Sequence, residues 1–270
     1  MGKGDTNMIP NEHAIMIYKF NENRWIEKIL EGKLSFSCAG AFIAQAKHTG
    51  NIIQGDKFEG VFARQHKDNP KIVIMRKKLG KDLEEIPDGD YIFLRRRSAK
   101  LKPIFCVFAY TANDAIKDGN PQTTGRQRVR LNFDRRLFDG FANESVKNVI
   151  STSHLFTVVL LQPKPFVDKI TAALIQKGVP FELHAVRYQD IHKDEFFVEP
   201  TEKYPELFIK SEQYAYQHEA RICLTHEKLS NIFKRYPIDI VKFNQDDYRV
   251  IHNAIQVEFT ADFQEIPETL

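Results

Sequence analysis

One segment limits the possible folds more than any other: PIFCVFAY, from Pro103 to Tyr110, an unbroken apolar run of strand length. A strand with one wet face alternates apolar and polar side chains, so a run without alternation predicts a central strand covered on both faces. Covering both faces takes apolar material, and the chain has it: 42% of its 270 residues are hydrophobic, with 21 Phe among them. No repeat or Pro/Ser/Gly linker divides the sequence. Residues 1–270 are therefore expected to form a single domain, with 1–13 as a disordered or loosely attached N-terminus.

Periodicity supplies the surrounding elements. AIMIYKF, from Ala14 to Phe20, reads as a strand, followed by a helix capped at Asn21 or Asn23. Trp25, Ile26, Ile29 and Leu30 form that helix's apolar stripe, and Gly32 gives its left-handed stop. KLSFSC reads as a strand, AGAFIAQAKHTGN as partly loop, and Asp56 as the start of a short helix. KIVIM from Lys71 reads as a strand, and the turn Pro87-Asp88-Gly89-Asp90 leads into another, YIFLRR. Ala112 to Gly125 is an expected loop, after which RQRVRLNF alternates with Val129, Leu131 and Phe133 inward. A strand from Phe156 to Leu161 and a helix from about Pro165 to Lys177, ended by Gly178, come next. FELHAVRY, ARICLT and RVIHNAIQVEF read as strands and EKLSNIFKRY as a helix. Strands that cluster, rather than alternate strictly with helices, predict an α+β fold of mixed, largely antiparallel central sheets with flanking helices.

Several function classes are excluded by what the sequence lacks. There is no P-loop, no G-x-G-x-x-G opening a helix, no H-E-x-x-H, no G-x-S-x-G and no C-x-x-C. The nine His residues show no close pair at metal-ligand spacing, and no metal is expected. Cys38, Cys106 and Cys223 each lie in an apolar run, which predicts buried reduced thiols. No stretch approaches the length of a membrane span and no apolar leader precedes the first strand, so a cytoplasmic protein without a membrane partner is expected. Nothing in the sequence fixes an oligomeric state.

A net charge of +3 does not diagnose a nucleic-acid binder. The basic residues do cluster: Arg95, Arg96, Arg97, Lys100 and Lys102 in one run, and Arg126, Arg128, Arg130, Arg135 and Arg136 in a second. Either run reads as a solvated face or as a track for a phosphate backbone. In KSEQYAYQHEARICL, from Lys210 to Leu224, alternation places Glu219, Arg221 and Cys223 on one face and Ala220, Ile222 and Leu224 on the other. A Glu and an Arg together there read as a lined cleft or as a plain ion pair.

The sequence resembles a large group of bacterial and phage proteins of unknown function, which open with a Y-K-Y/F strand, a helix and L-x-F-S, then F-N-D-P-F-E. Later they carry a C-F-S strand, a V-x-Y strand and a closing K … W-x-x-E-x-E-x-R. The matching residues are Tyr18, Lys19 and Phe20; Leu34, Phe36 and Ser37; Gly55, Asp56, Phe58 and Glu59. Cys106 with Phe108, Val186 with Tyr188, and Lys210, Tyr216, Glu219 and Arg221 continue the pattern. Gly55 replaces the family Asn, Lys57 the Pro, and a single Glu219 stands where E-x-E is frequent.

This layout is similar to the ADP-ribosyltransferase arrangement, in which an early strand and a Ser on the next hold NAD and a late Glu does the chemistry. The resemblance implies NAD as substrate, Glu219 and Ser37 as catalytic residues, and Lys19 or Arg221 on the pyrophosphate. It further implies Tyr18 or Tyr188 stacked on nicotinamide, with Asp56, Glu59 and Lys210 as further cleft residues. A toxin or phage-conflict role modifying nucleic acid or protein would follow, with Arg95 to Arg97, Arg128 and Arg130 leading a nucleic-acid acceptor to the cleft. The rival readings are a nuclease or nucleic-acid-binding module, and a non-catalytic protein binding a nucleotide or partner. The simplest reading leaves Lys19 on a solvated strand, Ser37 ending a strand, Tyr188 in the core and Asp56 as a helix cap.

Overall fold

Residues 14–49, 56–111, 114, 116–117, 126–132, 136, 156–252 and 258–264 are described by a computed structural model of the chain. β1 (Ala14–Glu22) runs into α1 (Asn23–Leu30), and β2 (Lys33–Cys38) into α2 (Ala39–Thr49). β3 (Val61–His66) and α3 (Pro70–Leu79) precede the hairpin of β4 (Leu83–Asp88) and β5 (Tyr91–Arg96). Next come β6 (Pro103–Thr111), β7 (Ile116–Lys117), β8 (Arg126–Asn132) and β9 (Phe156–Leu161). α4 (Pro163–Gln176) is followed by β10 (Phe181–Ala185), β11 (Arg187–Gln189), β12 (Glu195–Phe196), β13 (Ile209–Ser211) and β14 (Glu219–Leu224). β15 (Tyr236–Asp239), β16 (Tyr248–Ile251) and β17 (Glu258–Gln264) complete the described strands.

Among the described residues the strands form an α+β architecture. The main sheet has the order β10-β14-β6-β1-β9-β16, with β2 also paired to β6 and β15 to β2. All of its pairings are antiparallel. A second antiparallel sheet runs β12-β3-β5-β4 and a third β17-β8-β7, while β11 and β13 make the parallel exception. As its sequence demands, β6 is central. One face of the main sheet packs under α1 and α4, where Ile26, Ile29, Phe166, Ile170 and Leu174 join Phe36, Phe105, Val107 and Ile222 in the largest core cluster. Full burial of each such side chain contributes about 1.5–3 kcal/mol, so this cluster dominates the stability of the sheet's covered face.

The register of β6 creates a gap. Ile104 pairs with Ser37 of β2 on one edge and Cys223 of β14 on the other; Phe108 pairs with Tyr18 of β1 and Glu219 of β14. β14 therefore holds one edge along its length, while β1 and β2 share the opposite edge and diverge. Between them, Phe105 to Val107 have no strand partner on that edge. A split of this kind leaves backbone polar groups that something else must satisfy.

Three expectations about local structure are corrected. KIVIM is helical, because Asn69 accepts a hydrogen bond from the Lys71 N–H (3.0 Å), Pro70 occupies the first turn and Gly80 closes the helix at φ +52°. Its apolar run is two-faced: Ile72 and Met75 are buried, Val73 and Ile74 exposed. AGAFIAQAKHT is a full helix, α2, rather than partly loop. EKLSNIFKRY forms no helix; the Asn231 side chain accepts the Phe233 N–H (2.9 Å) and Lys234 N–H (3.2 Å), diverting donors a helix would use.

Smaller differences follow the same logic. Asp56 opens a turn, not a helix, and Trp25 leaves the stripe of α1 for the surface. FELHAVRY breaks at Val186 into β10 and β11. Gly32 at φ +85° and Gly178 at φ +63° end α1 and α4 as expected. The expected loop 112–125 contains β7, paired to β8. The rest of that loop, the N-terminal 13 residues and the inward or outward facing of side chains on β8 lie outside the described residues. No helix among the described residues is long and apolar enough to cross a membrane.

Candidate functional site

The gap along β6 opens into a cavity of about 600 Å³, within the range typical of small-molecule sites. Six of the residues singled out from the sequence line it: Lys19, Ser37, Glu59, Lys210, Glu219 and Arg221. They come from β1, β2, the turn before β3, β13 and β14, so the convergence is a product of the fold, not of sequence proximity.

Lys19 stands at the split. Its ammonium donates to the Cys106 carbonyl (2.6 Å) and lies 4.7 Å from the centre of the Phe105 ring. It thereby satisfies a carbonyl of the unpaired β6 edge, with two donor hydrogens left over. Among the described residues no carboxylate lies within ion-pair distance of it. Burial pushes its pKa below the usual lysine value, the opposing pull of Cys106 and Glu219 being smaller.

Four charges make the floor. His218, in the left-handed region at φ +47°, ends the short 3-10 helix Glu212–Gln217 and turns the chain into β14. Glu219 then receives Arg221 Nε on one oxygen (2.7 Å) and Lys210 Nζ on the other (2.9 Å). Arg221 also donates from Nη1 and Nη2 to the two oxygens of Glu59, the Nη2 bond being 3.1 Å, and from Nη1 to the Leu207 carbonyl. Lys210 reaches Gln217 Oε1 as well (2.6 Å). All four charged residues are buried. Although burial raises the Glu219 pKa, the cations of Arg221 and Lys210 outweigh it and hold the carboxyl well below the usual carboxylate range. Glu219 is thus an anion with both oxygens engaged, unsuited to accept a proton near neutral pH. Lys210 is pushed up by its carboxylate neighbours against the effect of burial.

The walls and mouth have a different character. Ser37 is 7% exposed, and its Oγ has no hydrogen-bond partner among the described residues. Lys28, Lys33 and Arg235 stand at the mouth with the half-exposed Trp25. With the floor's two cations and two carboxylates balanced, Glu22 is the remaining acid lining the cavity, and it is paired with Arg24 (2.7 Å); Lys33 is paired with Glu31 (2.8 Å), so Lys28 and Arg235 are the mouth's uncompensated cations among the described residues. The mouth is therefore cationic.

Several expected residues are not part of this cavity. Tyr18 alternates away from Lys19 and is fully buried between Phe108 and Tyr110, with ring centres at 5.1 and 5.2 Å, so it cannot stack on a ligand. Tyr188 lies behind β14, where its hydroxyl accepts the Glu219 N–H (2.8 Å); it positions Glu219 instead of presenting a ring. Asp56 is buried and accepts the Phe58 N–H (2.9 Å), and burial raises its pKa.

The first basic run is no phosphate track. Arg95 is buried against Glu84 (3.0 Å) and Arg96 against Glu206 (2.6 Å), leaving Arg97 exposed. Alternation on β5, which carries both into packed faces, is the physical reason. The side chains of Arg128 and Arg130 lie outside the described residues. Trp25 and Arg235 were missed because one read as core stripe and the other as helix surface; only the paths of α1 and of residues 225–235 bring them to the mouth. No group of three or more potential metal-ligating side chains occurs among the described residues. No protein-family model, curated protein or solved structure matches this chain.

Proposed function

We propose that the cavity binds a phosphorylated nucleotide, NAD in the first instance, and that the protein is an ADP-ribosyltransferase-like enzyme. The observation that carries this reading is the convergence of Lys19, Ser37 and Glu219 on one cavity with a cationic mouth. In this reading the free donors of Lys19 take phosphate oxygens by charge-assisted hydrogen bonds, and Ser37 Oγ gains the partner it lacks by bonding a ribose hydroxyl. Cleavage of the nicotinamide–ribose bond develops positive charge on the ribose, which an anionic Glu219 would stabilise electrostatically. Its depressed pKa favours that role over proton acceptance, so the proton of the acceptor nucleophile would leave by another route.

A second reading is favoured by the engagement of both Glu219 oxygens: a non-catalytic nucleotide-binding protein whose floor charges serve architecture. Incubation with NAD labelled in the adenylate half separates the two. A transferase releases nicotinamide and forms a labelled product, and Glu219→Gln loses that activity while its melting temperature stays measurable and NAD still binds. Binding without any nicotinamide release would leave only the second reading.

A further inference from the structure

A second cleft adjoins the first. About 350 Å³ in volume, it lies between α2 and residues 232–235, and it shares Ser37, Phe42, Gln45 and Arg235 with the main cavity. Phe233 flanks it with a ring that is 76% exposed. Unlike the other exposed apolar side chains Ile74, Ile175 and Val241, this ring borders a cleft and offers a face on which a planar group can stack. Arg235, also exposed, has no carboxylate partner among the described residues and stands where the two clefts meet. The unsatisfied, buried Ser37 hydroxyl faces the same junction.

The backbone here is held, not loose. Ile232 is seated on the start of α2, where its carbonyl accepts the Cys38 thiol (3.5 Å). Gly40 permits the approach: a Cβ there would lie 2.3 Å from Ile232 Cγ2 and 2.9 Å from the Lys100 carbonyl. The Asn231 side chain fixes the next turn through the Phe233 and Lys234 N–H groups. Phe233 and Arg235 are thus presented from an anchored segment.

We propose that the two clefts form one bipartite site, in which a ligand with two planar rings joined through phosphate reaches past Lys19 to Phe233, its phosphate bridge held between Lys19 and Arg235 and a ribose hydroxyl on Ser37. This rests on the nucleotide reading of the first cavity and deepens it: the outer ring of the dinucleotide sits in the second cleft, on Phe233. Aromatic stacking supplies sequence-tolerant affinity for the outer ring, and the guanidinium fork suits phosphate oxygens.

Calorimetric titration of the full chain with NAD, AMP and nicotinamide mononucleotide tests this on wild type, Lys19→Ala, Phe233→Ala and Arg235→Ala. Wild type should bind NAD more tightly than either mononucleotide. Phe233→Ala and Arg235→Ala, both surface changes, should each weaken NAD about tenfold. One of the two mononucleotides should lose affinity with Phe233→Ala while the other keeps it. If Lys19→Ala weakens NAD and the other two variants bind it like wild type, the second subsite is wrong and the nucleotide reading stands. If wild type binds none of the three, both are overturned.

Discussion

Arg221 and Arg96 are both buried arginines that meet a buried glutamate, yet their surroundings differ in completeness. Arg221 bonds Glu219, Glu59 and a backbone carbonyl, and Lys210 completes Glu219, so every carboxylate oxygen of the cluster is engaged. Arg96 makes one bond to Glu206, whose second oxygen, like Arg96 Nη2, has no partner among the described residues. The carboxyl pKa values move in opposite directions: Glu219 is held low by two cations, whereas burial of Glu206 outweighs its single Arg96 partner and raises it. Low dielectric strengthens a satisfied network and penalises an incomplete one. The complete cluster also joins the turn before β3 to the main sheet, beside the cavity, and so ties the site to the fold.

The comparison predicts unequal responses to mutation. Arg221→Met leaves Glu59 and Glu219 buried without their shared cation and should cost about 3–5 kcal/mol in urea unfolding. The double change Arg96→Met with Glu206→Leu removes an incomplete pair and should be neutral or stabilising by about 1–4 kcal/mol. If the double change costs as much as Arg221→Met, the contrast between the clusters is not real.

A pH series sharpens it. The lowered folded pKa of Glu219 gives stability that is present above the ordinary glutamate value and lost as pH falls through the folded value. The raised folded pKa of Glu206 does the reverse: its favourable contribution lies below the ordinary value and is lost as pH rises toward the folded one. Urea midpoints should therefore show Glu219→Gln abolishing part of the acid loss of stability, while Glu206→Gln abolishes a loss on the neutral side. The smallest effect is expected from exposed Arg97, where Arg97→Ala should stay within about 0.5 kcal/mol.

The same two regions show what a sequence of this kind reveals. Alternation in EARICL placed Glu219 and Arg221 together, because a period of two is a local property of any strand. It could not distinguish a solvated face from a buried one; that depends on which sheets cover β14. The run RRR read as a basic patch because charge is legible and neighbours are not, and Glu84 and Glu206 lie 11 and 110 residues away from their partners. The apolar run of β6 announced its central place, while the split beside it depends on the divergence of β1 and β2, which no local pattern encodes. KIVIM misled through composition even though Asn69, Pro70 and Gly80 marked helix ends. Phe233 and Arg235 fell on an expected helix whose hydrogen bonds Asn231 diverts.

The central claim is that the cavity at the β6 split takes a nucleotide through Lys19, and the most direct measurement is thermal unfolding with and without millimolar NAD for wild type and Lys19→Ala. A ligand that binds the native state alone must raise the melting temperature. The account predicts a rise in wild type that grows with NAD concentration and is lost in Lys19→Ala. No rise in wild type, or an equal rise in both proteins, would contradict it.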